Sequence, residues 1–327
     1  MVAILLTIVP CHASVEDCID LSNKAIILQQ GGKYLEAESL LKQVLSLASK
    51  AHRDDIQAQC LVEIGRGLDV QQKYAESAAC YDRCITLCQQ LTNAEDVKDR
   101  LISEAMVGKA NVFLHTGDYL NAEKHLKESL KLVENDKSLS AITLTGSTIL
   151  TLANLYSVQQ KFALAATTAK RALALLPSMG ASKDAIEFKC KVLQLLSNSY
   201  AYSDNYVEAE KTALEAVRLC EANTAMLQLD MACSCRTIGV AYMQKGDFVG
   251  ARTWIEKARA ADEKLLGPNS SDLAIDFDTL GVISAQEHKA AQAKSEFQRA
   301  LAILARDPSG DPILVEQVKG HLKQVAK

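Results

Sequence analysis

Three asparagines are the residues of this chain best suited to bind another polypeptide. Asn111, Asn154 and Asn198 recur at intervals of 43 and 44 residues. A carboxamide has N–H donors and a carbonyl acceptor, so it can pair with the C=O and N–H groups of an extended peptide whatever the peptide's side chains are. The same amides could instead cap helices or bridge neighbouring helices of the chain itself. We predict peptide contact for the three together, with bridging as the alternative.

The ten cysteines do not form a recognisable metal or disulfide site. Cys80, Cys84 and Cys88 follow one another at four-residue intervals, on one stripe of a helix. A zinc site needs four ligands, and this segment contains no histidine. The sulfurs of Cys233 and Cys235 would point about 200° apart on a helix, which suits neither chelation nor a disulfide. We therefore predict buried thiols in small core positions and no metal site.

Motifs for catalysis and for cofactor binding are absent from the sequence. The six histidines are scattered, and there is no glycine-rich phosphate loop, no Gly-x-Ser-x-Gly and no His-Glu-x-x-His. The sequence thus predicts a protein that is not an enzyme and that carries no cofactor.

Composition excludes several further classes of protein. The 327 residues are 48% hydrophobic and 23% charged, with 5 Pro, 15 Gly and a formal net charge of −4. These values are typical of a folded, nearly all-helical chain. Without a basic run, nucleic-acid binding is not expected. Outside the first ten residues no apolar stretch approaches the roughly 20 residues of a membrane-spanning helix, so we expect no integral membrane segment in the mature chain.

The amino-terminal segment 1–13 resembles the end of a secretory signal peptide. Residues 1–10 are apolar and uncharged, and Ala13 is a small residue at the expected cleavage edge, although a basic start is missing. Acylation of Cys11, as in a bacterial lipoprotein, fits less well because Pro10 precedes it. The alternative is an apolar segment packed on the first helices. The compartment is secreted or periplasmic if this segment is a signal peptide, and otherwise cytoplasmic.

One phrase recurs seven times along the chain, as in Gly32-Lys33-Tyr34-x-x-Ala37. Its aromatic position, held by alanine in the last copy, advances by 40, 45, 43, 44, 42 and 42 residues through Tyr34, Tyr74, Tyr119, Phe162, Tyr206, Phe248 and Ala290. Small residues lie nine before it, and larger ones usually lie seven after it, which would let two helices approach closely. Each copy predicts helix A, a tight turn and helix B, stacked on its neighbours.

This pattern resembles the tetratricopeptide repeat (TPR) family from about residue 15 to 304. The period near 42, instead of 34, and the segment 263–269 are similar to the kinesin-light-chain type of repeat. The resemblance implies an all-α solenoid, a right-handed superhelix of about seven antiparallel helix-turn-helix units. We place the units at approximately 15–54, 55–99, 100–142, 143–186, 187–228, 229–270 and 271–306. Pro312 at a first helical position predicts a capping helix over 311–327.

The resemblance also implies that the A helices line a concave groove, where the three asparagines would clamp peptide main chain. The other candidate groove residues are Arg66, His115, Lys191, Gln194, Tyr202 and Arg236. The three cations among them would attract an acidic or carboxylate-bearing segment, unless each is a solvated charge. A carboxylate clamp for chaperone tails is not expected, because Val107 and Leu195 stand where its lysine and arginine belong.

These patterns favour a non-enzymatic scaffold that binds an extended peptide or partner segment in the concave groove. The alternative is a regulatory or accessory subunit of an enzyme or assembly complex that docks through its convex face. In both hypotheses the partner is a protein or peptide, and the oligomeric state is left open.

Overall fold

The computed structural model describes residues 15–91, 95–223, 228–306 and 312–325, and the possible signal peptide at 1–13 lies outside them. The described residues form fifteen long helices and one short one, with no strand among them. The helices are α1 Val15–Gln30, α2 Tyr34–Lys50, α3 Asp54–Val70, α4 Tyr74–Gln90, α5 Glu95–His115, α6 Tyr119–Val133, α7 Leu139–Val158, α8 Phe162–Leu173, α9 Leu176–Met179, α10 Lys183–Ala201, α11 Tyr206–Ala222, α12 Gln228–Gln244, α13 Phe248–Leu266, α14 Ser271–Gln286, α15 Ala290–Leu304 and α16 Pro312–Val325. The chain is therefore an all-α solenoid of helix pairs.

The turn from helix A to helix B is built in the same way in all seven copies. The residue two before the aromatic position has a φ of 57–79°, in the left-handed region. The N–H of the next residue donates to the carbonyl five residues earlier, at 2.8–3.0 Å, as from Asp118 to Phe113. This bond closes the end of helix A. Four copies place a residue other than glycine there, namely Gln72, Gln160, Asp204 and His288.

Small residues on A helices make room for large ones from B helices. A Cβ atom at Gly65 would lie 2.7 Å from the ring of Tyr81, and one at Gly108, on the next A helix, would lie 2.2 Å from it. In the same way, a Cβ atom at Gly281 would lie 2.4 Å from the ring of Phe297. The predicted pairing of small and large residues is confirmed at Gly65 and Gly281, whereas the contact of Gly108 was not predicted.

Two compact units divide the chain, and the first comprises residues 1–155. In this unit 1, Leu41 lies in an apolar cluster from α1, α2 and α3, and Tyr81 lies in a second cluster from α3, α4 and α5. Because α3 contributes to both clusters, neither pair has a separate core.

Unit 2 comprises residues 156–327. Ile238 lies in a cluster from α11, α12 and α13, and Phe297 lies in one from α13 to α16. Leu314 and Val318 of α16 are buried in the latter cluster, so this helix covers the last pair of the unit.

Two helices differ from what the sequence suggested. The B helix of the fourth copy ends at Leu173, and the short helix α9 follows it, because Pro177 cannot continue a helix hydrogen-bond ladder. The second is α7, which is long and apolar enough to cross a bilayer by length and composition, whereas the sequence was expected to hold no such stretch beyond residue 10. Half of its apolar window is buried inside the protein, so α7 does not indicate a membrane span.

Candidate peptide-binding site

The A helices of unit 2 line a cavity of about 470 Å³, here called the unit 2 groove. Its wall contains three of the predicted site residues, Asn198, Tyr202 and Arg236. The other lining residues are Ala201, Asp204, Tyr206, Cys233, Thr237, Val240, Gln244, Ile275 and Thr279. Most of these residues lie on α10, α12 and α14, so within this unit the A helices form the groove surface.

Asn198 makes a helix bridge at the groove wall. Its Oδ1 accepts a hydrogen bond from the hydroxyl of Thr237 on α12, at 2.5 Å. The carbonyl oxygen of this amide therefore bridges two A helices, as the alternative to peptide contact expected. The other half of the amide carries two N–H donors, and one of them interacts with the Cys233 thiol, so the remaining N–H can face a ligand.

Arg236 is surrounded by aspartates from two further helices. Its guanidinium pairs with Asp262 of α13 and, on α14, with Asp272 at 3.2 Å and Asp276 at 3.3 Å. Asp262 and Asp276 are almost fully buried. Burial raises the pKa of Asp276 to about 7, against the opposing effect of Arg236, and burial also raises the pKa of Asp262. This arginine is thus neutralised within the protein and is not free to bind an acidic segment.

Gln194 and Lys191, the remaining predicted residues of unit 2, lie on α10. The Gln194 amide donates to the backbone carbonyl of Asp230 at 2.7 Å and to its carboxylate at 3.1 Å, so it joins α10 to α12. Lys191 is exposed and pairs with Glu187 one turn earlier, at 2.6 Å. Neither residue lines the unit 2 groove.

In unit 1, the predicted cation Arg66 is also neutralised. It pairs with Glu63 at 2.9 Å and with Glu104 of α5 at 3.2 Å. Burial raises the pKa of Glu63. Like Arg236, Arg66 binds carboxylates of its own chain instead of leaving a positive patch.

The other unit 1 residues are more accessible. His115 is stacked on Tyr74 with ring centroids 5.5 Å apart, and its Nε2 lies 3.7 Å from Asp69. Asn111 is partly exposed and Asn154 is exposed, and within the described part of the chain neither amide has a hydrogen-bond partner. These two asparagines do not make the bridge that Asn198 makes.

Sequence reasoning missed several residues of the groove wall. Val240 occupies the same place in its repeat as Asn198, eight before the aromatic position, and Ile275 occupies the place of Lys191, fifteen before it. The offset of eight does give Val240, which was not chosen because it is apolar and not an amide or a charge, and the offset of fifteen applied to the last copy would have given Ile275. Asp204 and Tyr206 were assigned only to the turn and to the repeat pattern, and their second role as wall residues is visible only in three dimensions.

The cysteines lie where small core residues were predicted. Of the nine described cysteines, seven are buried and the other two are partly buried. Burial raises the pKa of Cys60 to about 11 and that of Cys235 to about 12. The sulfurs of Cys190 and Cys220 lie 3.4 Å apart as thiols. Among the described residues, no group of three or more His, Cys, Asp or Glu side chains is arranged to hold a metal ion.

Comparison with known proteins finds one family and one fold. No curated protein matches the sequence. The family model described as tetratricopeptide repeat matches residues 230–306. The chain is similar in structure to BtubC (BKLC) from P. vanneervenii, at 20% identity and a TM-score of 0.59, over 71% of this chain and 91% of that one.

Two further solved structures cover almost the whole chain. A tetratricopeptide repeat protein from Parabacteroides merdae is 17% identical, with a TM-score of 0.54, over 95% of this chain and 100% of that one. A Rap protein complexed with Competence and Sporulation Factor is 14% identical, with a TM-score of 0.59, over 95% and 88%. At these identities the likeness concerns the fold. The family model therefore shows tetratricopeptide repeat sequence in residues 230–306, and the solved structures show that the chain as a whole shares the fold of tetratricopeptide repeat proteins.

Proposed function

We propose that the chain is a non-enzymatic interaction scaffold that binds an extended segment of a protein partner in the unit 2 groove. The observation that carries this proposal is the cavity of about 470 Å³ lined mostly by the A helices, whose wall contains both apolar and hydrogen-bonding side chains. Its volume is in the range of ligand pockets and suits one or two side chains of a peptide.

The groove wall offers the two kinds of contact that a linear segment needs. Val240 and Ile275 supply apolar surface for an anchoring side chain. The amide N–H of Asn198 that does not face Cys233 supplies a donor for a peptide carbonyl. A Rap protein of the same fold has been solved in complex with Competence and Sporulation Factor, so a chain folded in this way can accommodate a partner.

A matched pair of variants tests the proposal. Ile275 lines the groove, whereas Val249 is exposed at the start of the B helix α13. A displayed library of random twelve-residue peptides is selected on the full chain, and the recovered peptides are measured by calorimetry. We expect Ile275→Gln to weaken them about tenfold, through loss of one apolar anchor, and Val249→Gln to leave them unchanged. Equal effects of the two variants, or no recovered peptide, would contradict the proposal.

Docking through the outer side of the solenoid is the second candidate, and one pattern favours it. The second residue of four B helices is a large exposed apolar residue: Leu35, Leu120, Val207 and Val249. Each unit thus has two such residues at one repeat position, which could contact a partner without using the groove. A full-length partner lost on Val249→Gln, but retained on Ile275→Gln, in a pull-down would favour this candidate.

A further inference from the structure

Resting on the proposed function, we infer that the unit 2 groove selects a segment that carries a lysine or arginine side chain beside an apolar one. This preference is opposite to the acidic segment that the cations of the sequence suggested. It follows from the balance of charge in the groove, from one carboxylate at its wall and from the aromatic rings beside that carboxylate.

The charge around the groove is negative. Asp204 and Arg236 are the charged residues among those that line it. The single positive charge of Arg236 faces the acidic groups of Asp262, Asp272 and Asp276, and even with Asp276 protonated two carboxylates remain. Asp204 adds a further carboxylate, so a cationic group entering the groove is attracted and an anionic one is repelled.

Asp204 is available to such a cation. It is exposed, and no described lysine or arginine pairs with it. Its Oδ1 accepts a hydrogen bond from the hydroxyl of Tyr206 at 2.5 Å, which orients the carboxylate. Its Oδ2 is left for a ligand. The backbone at Asp204 is held in the left-handed turn conformation, so the side chain projects from a fixed point.

Aromatic surface completes the subsite. The ring of Tyr202 is 69% exposed and stacks on Phe162 with centroids 4.9 Å apart and planes 18° apart. Tyr202 and Asp204 share the groove wall, so a guanidinium or ammonium bound there gains a carboxylate and the face of a ring. The aliphatic stem of the same side chain can pack on Ile275 or Val240.

Tyr202 also borders a second cavity of unit 2, of about 480 Å³, lined with Ser157, Val158, Gln160 and Phe162. A segment whose basic residue lies at Tyr202 can therefore extend to both sides of that ring. Two lysines of the unit are already paired with carboxylates, Lys245 with Glu210 and Lys191 with Glu187.

The test is a selection of random twelve-residue peptides on the full chain, followed by affinity measurements on two charge variants. Asp204→Asn removes the wall carboxylate and keeps a residue that tolerates the left-handed conformation. Glu221→Gln removes the same charge from an exposed position on the B helix α11. We expect the recovered peptides to share a lysine or arginine beside an apolar residue. Their affinity should fall about fivefold on Asp204→Asn and should not change on Glu221→Gln, with circular dichroism showing both variants folded.

The outcomes separate the two proposals. Peptides that are weakened by Ile275→Gln but show no basic preference, or that bind Asp204→Asn as tightly as the native chain, would overturn the inference and leave the proposed function standing. Enrichment of acidic residues would overturn it as well. If no peptide is recovered, the proposed function fails and the inference fails with it.

Discussion

At one position of the repeat, unit 1 joins α3 to α5 through an apolar side chain, whereas unit 2 joins its successive A helices through polar ones. Elsewhere on the same two helices of unit 1, Arg66 and Glu104 add a polar contact. The position twelve before the aromatic position shows the difference. In unit 1 it is Ser22, Val62, Val107 and Leu150, and Val62 is fully buried in a cluster with Leu101, Ile102 and Ala105 of the next A helix. In unit 2 it is Gln194, Arg236 and Asp278, and each contacts the next helix of the stack.

The three polar contacts of unit 2 follow one another in the stack. Gln194 bonds Asp230 of α12, and Arg236 pairs with Asp276 of α14. Asp278 accepts a bond from Gln317 of α16 at 2.9 Å and lies 2.8 Å from a ring nitrogen of His321. The same repeat position can therefore join neighbouring helices through apolar packing or through polar and charged contacts. An apolar contact stabilises through burial, while a polar one adds direction but leaves its members costly to separate.

The largest expected effect comes from removing Arg236. Arg236→Met leaves Asp262 and Asp276 buried without a counter-charge, so we expect the free energy of unfolding to fall by about 3–5 kcal/mol. Val62→Ala at the equivalent position of unit 1 should cost about 2 kcal/mol. Urea unfolding followed by far-ultraviolet circular dichroism measures both.

A triple variant sharpens this comparison. Asp262→Asn and Asp276→Asn, added to Arg236→Met, remove the unpaired charges and should recover part of the lost stability. If Arg236→Met costs less than Val62→Ala, the polar contact is solvated and the contrast between the units is wrong.

The pH dependence of unfolding is the second expectation. Burial holds the pKa of Asp276 at about 7 in the folded chain, above the ordinary value of a carboxyl group, so the folded state binds the proton more tightly than the unfolded one. The contribution of Asp276 to the free energy of unfolding is therefore most favourable below about pH 4. It is lost as the pH rises from about 4 to 7, and it changes little above that.

Urea midpoints between pH 4.5 and 7.5 test this sign. Asp276→Asn should flatten the decrease, because the amide does not titrate. Glu63→Gln is the matched variant in unit 1, because burial raises the pKa of Glu63 in the same direction as that of Asp276. A midpoint that rises with pH, and rises less in Asp276→Asn, would show that the carboxylate form of Asp276 is the one stabilised by folding.

Third, a methyl group added at the contact between two helix pairs of unit 1 should be destabilising. In Gly108→Ala the new Cβ would lie 2.2 Å from the ring of Tyr81, so we expect a loss of about 1–3 kcal/mol. Gly281→Ala, against Phe297, should behave alike in unit 2. Gly320→Ala is the control, because nothing lies within 4 Å of its Cβ and a helical alanine should gain up to about 1 kcal/mol. A neutral Gly108→Ala would mean that α4 can move away without cost.

The smallest effects are expected at the turns. Gln72 in unit 1 and His288 in unit 2 have φ of 60° and 62°, and both are exposed. Glycine accepts this conformation without the steric cost of a side chain but loses more chain entropy, so Gln72→Gly and His288→Gly should each gain at most about 1 kcal/mol. Melting temperatures measure the gain. A loss at either turn would show that the side chain contributes a contact.

The helices could be predicted from the sequence because their signal repeats. Seven aromatic positions in one register locate the turns, and the small residues at Gly65 and Gly281 correctly indicate the close approach of helices A and B. Helix α9 could not be predicted from the repeat, because Pro177 occurs in one copy only and ends the helix locally. The division into two units could not be predicted either, because the repeated sequence motif continues without change across the boundary.

The positions of the candidate site residues could be predicted from the sequence, but the side chains that they contact within the chain could not. The offsets correctly place Asn198 and Arg236 on an A helix. Whether Arg236 is free depends on Asp262, Asp272 and Asp276, which are 26, 36 and 40 residues away and belong to two other helices. Periodicity gives the direction of a side chain, whereas its charge environment depends on neighbours that differ from copy to copy.

Tyr81 lies against a glycine of its own helix pair and a glycine of the following pair. The second and third repeats are therefore matched to each other in sequence. A graft that brings in a foreign third repeat must also bring a glycine at the place of Gly108, or it will meet the tyrosine ring. A repeat can be exchanged singly at this place only when it supplies that glycine.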